Sequence, residues 1–281
     1  LKSRLNSSGM VEKIEYSMRA KRSLGQNFLV DGKYVSKIVN AVHPEKGEVV
    51  IEIGPGRGAL TRELLERGAK VLAIELDREL VPQLMDDLGG TGRFNVVEAD
   101  ASEADLRELI DQFYPGTPKA KLVANLPYYI STAILQHLAK ERHCISELVL
   151  MFQREVVERI KAKPGRSERG YLTVLVEAAF AVERLFDVPP EAFRPRPKIW
   201  SSVVRLIPKP TGPADDAAFR RLVSSGFSQK RKTLANNLKA AYPEPTVALA
   251  DAGIDPKRRA ETLELSEWLR LYALLADRIE P

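Results

Sequence analysis

The stretch VVIEIGPGRGAL, residues 49–60, runs from an apolar, β-rich segment through three glycines into a helical pattern. Glycines at Gly54, Gly56 and Gly58 permit a tight turn and let a ligand approach the backbone closely. The positive end of the following helix faces the same place. The stretch therefore predicts a strand, a ligand-binding turn and a helix, as in an α/β fold that binds a nucleotide-like molecule. A turn that only packs the strand against the helix is the structural alternative.

The turn alone does not decide which nucleotide is bound. Gly54, Gly56 and Ala59 also satisfy the dinucleotide fingerprint GxGxxA, and Glu75 stands 21 residues after Gly54, where a dehydrogenase would hold a ribose. Three successive predicted strands end at Gly54, Glu75 and Asp100. Because the carboxyl ends of parallel strands form the ligand-binding edge of such sheets, these residues are candidate ligand contacts. An oxidoreductase and other nucleotide-binding enzymes both remain open at this point.

Apolar runs alternate with helical patterns along most of the chain. The predicted strands are residues 49–53, 70–76, 94–98, 121–126 and 147–153, with helices that include 59–66 and 78–88. Near-continuous apolar strands separated by helices indicate a parallel sheet covered on both faces. A helical segment near 171–182 follows, and 199–207 is one more strand, a candidate antiparallel edge.

A change of pattern after residue 208 predicts two domains. The segment KPTGP, residues 209–213, is the predicted linker, and only helical patterns follow it, at residues 216–227, 230–241, 246–252 and 266–279. We therefore expect a sheet domain at residues 1–208, in which 1–18 are a candidate disordered tail, and a small all-helical domain at 214–281.

Composition excludes several classes of protein. The chain has 281 residues, of which 44% are hydrophobic and 29% charged, as in ordinary globular proteins. Cys144, the single cysteine, cannot form an internal disulfide, and with only three scattered histidines we expect no metal site. The longest uncharged stretch, residues 122–139, contains several polar residues, and no secretory signal is visible. We expect a cytoplasmic protein without a membrane span.

The positive charge is segregated. The net charge is +5, but residues 1–30 carry +4 and residues 194–239 carry +9, which leaves −8 for the rest. Such segregation fits a surface that follows phosphates, although a solvated helix face is the alternative. Phe193, Trp200 and Phe227 lie among the cations of the second group. Since aromatic side chains stack on unpaired bases, this favours RNA or single-stranded nucleic acid as a partner.

The fourth strand ends in NLPY, residues 125–128, at the predicted ligand edge. This tetrapeptide resembles the NPPY-type signature of S-adenosylmethionine-dependent amino-methyltransferases, in the form found in the ribosomal RNA small-subunit adenine N6-dimethyltransferase family. Three further segments resemble motifs of that family: RSLGQNFLVD at 22–31, IEIGPGRGALT at 51–61 and FRPRPKIWSSV at 193–203. The match covers nearly the whole chain. Ile199 and Trp200 depart from the family pattern, which more often has a valine and a small polar residue there.

The resemblance implies a fold, a cofactor and a reaction. It implies a Rossmann-like class I methyltransferase sheet followed by a helical domain that binds RNA or the ribosome. It also implies S-adenosyl-L-methionine as cofactor and dimethylation of two adjacent adenines near the 3′ end of small-subunit (16S) ribosomal RNA. The implied partner is an assembling small subunit, approached by a monomer.

The chemistry explains why these residue types stand at the strand end. The N6 amine of adenine is a poor nucleophile because its lone pair is delocalised into the ring. The side-chain carbonyl of Asn125 and, as the resemblance implies, the backbone carbonyl of Leu126 can accept its hydrogens and favour the tetrahedral, reactive geometry. Pro127 fixes that backbone, and Tyr128 offers a ring on which the extruded base can stack. Phe193 resembles the residue that clamps the base from its other face, with a core phenylalanine as the alternative.

Site residues carry over from the family motifs position by position. The cofactor-binding candidates are Asn27, Leu29, Gly54, Gly56, Glu75, Asp100 and Asn125, with Gln26 shaping the pocket. Among them, Glu75 would hold the ribose hydroxyls and Asp100 the cofactor's adenine amine. The RNA-binding candidates are Arg194, Arg196, Lys198, Lys230, Arg231 and Lys232.

Three other functions compete with this interpretation, and the dinucleotide oxidoreductase considered above is the third. A relative that dimethylates an adenine of large-subunit ribosomal RNA, and so confers antibiotic resistance, would share most motifs, but NLPY and the basic tail favour the small-subunit type. A non-catalytic RNA-binding assembly factor would keep the fold. Its cofactor loop or NLPY should have decayed, and both are intact here.

Overall fold

Seven strands form one sheet in the computed structural model, which describes residues 21, 25–126, 130–210 and 212–276. Two shorter strands pair separately. In chain order the strands are β1 Phe28–Leu29, β2 Val49–Ile53, β3 Lys70–Glu75, β4 Phe94–Glu98, β5 Ala120–Asn125, β6 Ile145–Gln153, β7 Phe180–Val188, β8 Phe193–Arg194 and β9 Ser201–Pro208. The helices are α1 Gly32–Val42, α2 Ala59–Glu66, α3 Leu80–Leu88, α4 Leu106–Phe113, α5 Ser131–Glu141, α6 Arg154–Ile160, α7 Tyr171–Ala179, α8 Ala217–Gly226, α9 Leu234–Leu238, α10 Pro245–Asp251 and α11 Leu265–Ala276.

The sheet follows the order β4-β3-β2-β5-β6-β9-β7. The pairs from β4 to β6 are parallel, as the alternation of strands and helices predicts, and β9 pairs antiparallel with both neighbours. The expectation that residues 199–207 form an edge strand is wrong, because β7 pairs with the outer side of β9. The segment expected to be helical to residue 182 ends its helix at Ala179, and β7 begins at once with Phe180.

Two apolar cores cover the two faces of the sheet. Successive residues of β2 alternate between them, so that Ile51 packs with α4 to α7 and Val50 packs with α1, α2 and α3. All five residues of β2 are buried, as a central parallel strand requires. This packing places the carboxyl ends of β2 to β5 side by side.

Helices α8 to α11 enclose a third apolar core, in which Trp268 is the largest buried side chain. Val174 of α7 also belongs to this core, so one helix of the sheet region packs against the helical region. The buried Arg142 guanidinium contacts the Asp215 carboxylate and the backbone carbonyl of Ala139, and thereby holds the start of the helical region against α5. We retain a domain boundary at residues 209–213 as a proposal.

One predicted helix is much shorter in the structure. Residues 230–241 were expected to be helical throughout, but α9 spans only Leu234–Leu238, with the Thr233 side chain accepting a hydrogen bond from the Asn236 backbone at its start. Residues 230–232 lie in the turn before the helix. None of the helices in the described ranges is long and apolar enough to cross a bilayer.

Candidate functional site

A cleft opens where β2, β3, β4 and β5 end. It contains about 780 Å³ of space not filled by protein atoms, part of which is open solvent. The predicted site residues that line it are Asn27, Gly54, Gly56, Glu75, Asp100, Asn125 and Leu126, together with Gln26. Residues from four strand ends and from the segment before α1 therefore meet in one place, as predicted.

The glycine turn bends the backbone around Glu75. Gly54 and Gly56 both have positive φ angles, of 67° and 56°. A Cβ atom on Gly56 would lie 2.9 Å from the Phe28 ring, which closes the turn from outside. The Gly56 backbone N–H donates to Glu75 Oε2 over 3.1 Å. Glycine is thus required at position 56 for both conformation and space.

The two acidic residues of the cleft, Glu75 and Asp100, differ in their burial and in their hydrogen-bond partners. Glu75 is buried, and its second oxygen accepts from the Asp77 backbone over 2.9 Å. Burial raises the pKa of the Glu75 carboxyl, and the backbone hydrogen bonds from Asp77 and Gly56 oppose that shift. Asp100 is exposed and uses Oδ1 to accept from the backbone and hydroxyl of Ser102. It therefore caps a turn and lines the cleft at the same time.

The segment before α1, which includes Lys21, Gln26 and Asn27, contacts residues at the ends of two strands. Gln26 donates to Asp77 Oδ2 over 2.9 Å, and Lys21 forms an ion pair with the same carboxylate at 2.7 Å. Asn27 accepts a hydrogen bond at its backbone carbonyl from Asn125 Nδ2, over 3.1 Å. This segment consequently forms a wall of the cleft.

Asn125 is oriented by that hydrogen bond. Because a carbonyl oxygen can only accept, the contact with Asn27 fixes which end of the Asn125 amide is nitrogen. Among the described residues Oδ1 of Asn125 has no hydrogen-bond partner. The site thus presents the Asn125 side-chain carbonyl in an orientation fixed by the hydrogen bond from Nδ2 to Asn27.

Leu126 continues the pairing of β5 with β6, since its N–H donates to the Met151 carbonyl over 3.2 Å. Its side chain is buried and lines the cleft. Pro127 and Tyr128, which complete the predicted catalytic motif, lie outside the described residues.

Leu29 and Phe193 are paired partners rather than cleft-facing groups. They face each other in the short antiparallel ribbon of β1 and β8, and both belong to the core on the α1 side of the sheet. Leu29 borders a small cavity beneath the glycine turn. Phe193 is only 1% exposed, so this conformation corresponds to the core-phenylalanine alternative and does not present the ring as a base clamp.

The predicted RNA-binding cations are all exposed, in two separate groups. Arg194 ends β8, and Arg196 and Lys198 lie between β8 and β9, where Arg196 forms an ion pair with Glu191. The second group, Lys230, Arg231 and Lys232, surrounds a small surface cavity in the turn before α9. Other cations of residues 194–239 have structural partners: Arg205 binds Glu147 and Glu183, and Lys209 donates to the Glu177 carbonyl.

Glu52 is a site residue that the sequence analysis missed. It lies in β2 and is almost fully buried, and it accepts a 2.6 Å hydrogen bond from the buried Thr61 hydroxyl. It lines the small cavity beneath the glycine turn that Asn125 also borders. Burial raises the pKa of Glu52 to about 7, and the negative charge of Glu75 adds to the shift. The signal was a single acidic residue inside an otherwise apolar strand, VVIEI.

One side-chain cluster has the composition of a metal site. Candidate ligand atoms of Glu141, His143 and Cys144 lie within 4.8 Å of one another. The sequence argument that such residues are too scattered to assemble is therefore wrong here. Burial raises the pKa of the Cys144 thiol to about 11, and its Sγ donates to the Glu141 carbonyl. Burial therefore disfavours the thiolate, and the neighbouring cations Lys140 and Arg142 disfavour a bound metal ion, so we do not propose a metal site here.

Comparisons with known proteins agree on one family. A family model described as ribosomal RNA adenine dimethylase matches residues 17–277. The ribosomal RNA small subunit methyltransferase A of Thiobacillus denitrificans is 45% identical over 262 residues, which cover 92% of this chain and 98% of that protein.

Two solved structures are similar over most of the chain. The dimethyladenosine transferase of Plasmodium falciparum has a TM-score of 0.74 at 27% identity, covering 89% of this chain and 98% of that one. The 23S rRNA methyltransferase ErmE has a TM-score of 0.65 at 28% identity, covering 89% of this chain and all of that one. The sheet and its helices are thus those of known methyltransferases.

Glu52→Gln should change how stability depends on pH. The folded pKa of about 7 lies above the ordinary value of 4.5, so wild-type protein loses stability as pH rises between these values. The glutamine cannot ionise and can still accept from Thr61. We therefore expect the free energy of unfolding of Glu52→Gln, relative to wild type, to increase from pH 5 to pH 8 in urea titrations. Glu66→Gln, at an exposed position on α2, is the control. Parallel curves for wild type and Glu52→Gln would show that Glu52 does not titrate abnormally.

Proposed function

The chain belongs to the ribosomal RNA adenine dimethylase family, and we propose that its substrate is small-subunit (16S) ribosomal RNA. The reaction is N6-dimethylation of two adjacent adenines near the 3′ end of that RNA, with two methyl groups added to each. The observation that carries this proposal is the Asn125 amide, held at the end of β5 with its nitrogen bonded to Asn27 and its oxygen unpartnered among the described residues.

The cleft fits S-adenosyl-L-methionine, the methyl donor. When bound, this cofactor supplies a methyl group on a positively charged sulfur. The cleft offers carboxylates on two adjacent strands and a glycine turn without side chains, which suits a cationic ligand that carries a ribose and an adenine. Glu75 would hold the ribose hydroxyls, since each of its oxygens keeps a lone pair after accepting from the backbone. Asp100 would accept from the cofactor's adenine amine with Oδ2.

Asn125 and Leu126 would prepare the target amine. An amide oxygen that accepts a hydrogen of the N6 amine favours the tetrahedral nitrogen of the transition state over the flat ground state. Preorganisation matters because a carbonyl already held in place costs no reorientation during the reaction. The Leu126 carbonyl is the second candidate acceptor, and the bond from its N–H to Met151 anchors the peptide before it. In this proposal neither residue acts as a base.

RNA would approach over the exposed cations outside the cleft. Arg194 ends the strand β8 that pairs with β1, and Arg196 and Lys198 follow it; β1 directly follows the Gln26–Asn27 wall of the cleft. Phosphates bound there would bring a single-stranded segment to the mouth of the cleft. Lys230, Arg231 and Lys232 would hold a second part of the RNA on the helical domain, residues 214–281.

The similarities favour the small-subunit reaction over the large-subunit alternative. Identity reaches 45% with a small-subunit enzyme but 28% with the 23S enzyme, and the TM-score is higher for the dimethyladenosine transferase. A non-catalytic assembly factor would not need Gly56, Glu75 and Asn125 to be held as they are. We further propose that the protein acts in the cytoplasm, as a monomer, on an assembling small subunit.

Mapping the modified bases tests this proposal. Unmethylated small subunits incubated with the protein and S-adenosyl-L-methionine should gain two adjacent N6,N6-dimethyladenines near the 3′ end of their RNA. Large subunits treated in parallel should gain none. Methylation of large-subunit RNA would favour the resistance-type alternative, and incorporation into neither subunit would support the non-catalytic one.

Asn125→Ala should slow methyl transfer by about 10²- to 10³-fold, because it removes a preorganised acceptor. Cofactor affinity, measured by equilibrium dialysis, should fall much less, since Gly56, Glu75 and Asp100 remain. Asn40→Ala, at an exposed position on α1, is the matched control and should keep wild-type turnover. Turnover of Asn125→Ala at the wild-type rate would remove this residue from the catalytic site.

Replacing Lys230, Arg231 and Lys232 by glutamine should weaken RNA binding and flatten its salt dependence. Each phosphate contact contributes about −0.7 to the slope of log K against log salt for a single strand, so the slope should become shallower by up to about 2. Binding would be measured between low and physiological salt. Glutamine at the exposed Lys33 and Lys46 should leave the slope unchanged. An unchanged slope in the triple variant would show that these cations do not contact phosphate.

A further inference from the structure

Trp200 is the one exposed side chain among the phenylalanines, tyrosines and tryptophans that the structure describes. It is 48% exposed, and the adjacent Ile199 is 38% exposed. The other two aromatic residues that the sequence analysis noted among the cations of residues 194–239 cannot stack on a base in this structure. Phe193 is buried, and Phe227 stacks on Trp268 with 5.6 Å between ring centroids. An indole left half in water needs an explanation, because Trp is normally covered on most of its surface.

The position of Trp200 is fixed relative to the catalytic edge. Its carbonyl accepts from the Arg154 N–H over 3.0 Å, and the next residue, Ser201, is paired with Gln153 at the end of β6. Met151, two residues earlier on β6, is paired with Asn125. From strand spacing and rise, Trp200 lies about 10 Å to the side of Asn125 and about 10 Å further out. Both residues are therefore at the same edge of the sheet.

The charges around Trp200 favour a nucleic acid over an apolar partner. Arg196 and Lys198 precede it in the same exposed loop, and Arg154 contacts its backbone. Glu191 and Glu158 form ion pairs with Arg196 and Arg154, which leaves Lys198 as the cation of this loop with no ion pair among the described residues. Positive side chains beside an exposed aromatic ring are the arrangement that binds single strands, with phosphates on the cations and a base on the ring.

We propose that Trp200 stacks on an unpaired base of the substrate RNA, a few nucleotides from the adenine that enters the cleft. The proposal rests on the function proposed above, and it assigns a specificity role to a residue that touches neither the cofactor nor the reacting amine. A base on Trp200 would hold the RNA strand open beside the target and so fix which adenine reaches Asn125. Only a single-stranded segment can satisfy both positions, because a base inside a duplex is stacked on both faces by its neighbours.

Tryptophan emission gives a direct test, because the chain has two tryptophans and the other, Trp268, is fully buried. The probe is a single-stranded RNA of about 12 nucleotides with two adjacent adenines. Its addition should quench the emission of wild-type protein, and the same sequence as a duplex should not. Trp200→Phe should bind the strand but show no quenching, because only Trp268 then emits. Quenching that persists in Trp200→Phe, or is absent in wild type, would overturn the proposal.

Affinity and turnover provide the second readout. Trp200→Ala should raise the Kd for the strand, and the KM for small subunits, by about 5- to 100-fold, and Trp200→Phe should restore both. Ile207→Ala is the matched control, because Ile207 is 41% exposed on β9 but lies near its opposite end. Equal affinity of wild type for an abasic strand would mean that only phosphates are bound and would contradict stacking.

The two proposals fail in different ways. If wild-type protein methylates small subunits while Trp200→Ala keeps the wild-type KM, stacking is wrong and the proposed function stands. If wild-type protein methylates nothing but the strand quenches Trp200 emission, the proposed function fails and the stacking surface stands.

Discussion

The hydrogen bond from Asn125 Nδ2 to the Asn27 carbonyl is the contact on which the site depends. It joins the end of the fourth parallel strand to the segment before α1, two parts of the chain 98 residues apart. It uses Nδ2 of the amide as the donor and leaves Oδ1 without a hydrogen-bond partner among the described residues. Without it the amide could turn over and present its N–H groups, not its oxygen, to the cleft.

A second set of contacts fixes the position of the segment that accepts this hydrogen bond. Gln26 and Lys21 bind Asp77, just past the end of β3, and Gly56 binds Glu75 at the end of that strand. Val30 donates to the Ala192 carbonyl, and Phe28 and Leu29 pair with β8. The segment before α1 is therefore attached at both ends, once to the sheet and once to the loop that leads to Trp200.

Much of this arrangement could be predicted from sequence, because it depends on local patterns. The turn at Gly54 to Gly58 and the polar residues at strand ends follow from the geometry of parallel sheets, and helix α2 falls at residues 59–66 as expected. The outermost strand β7 was missed because its charged residues, Glu183, Arg184 and Asp187, interrupt the apolar run of an edge strand. Glu52 was missed, and the burial of Phe193 was left open between two alternatives, for another reason. Burial depends on neighbours from distant parts of the chain, which one residue's type and position do not reveal.

The charges of the site separate the two ligands. Glu52, Glu75 and Asp100 lie in or beneath the cleft, whereas Arg194, Arg196 and Lys198 lie outside it. Phosphates are attracted to the outer cations and repelled by the carboxylates, and the repulsion is strongest where burial reduces screening by water. Under the proposed function, a nucleotide would therefore enter with its phosphates outside and its uncharged base turned inward. The same carboxylates would favour a cationic methyl donor in the cleft.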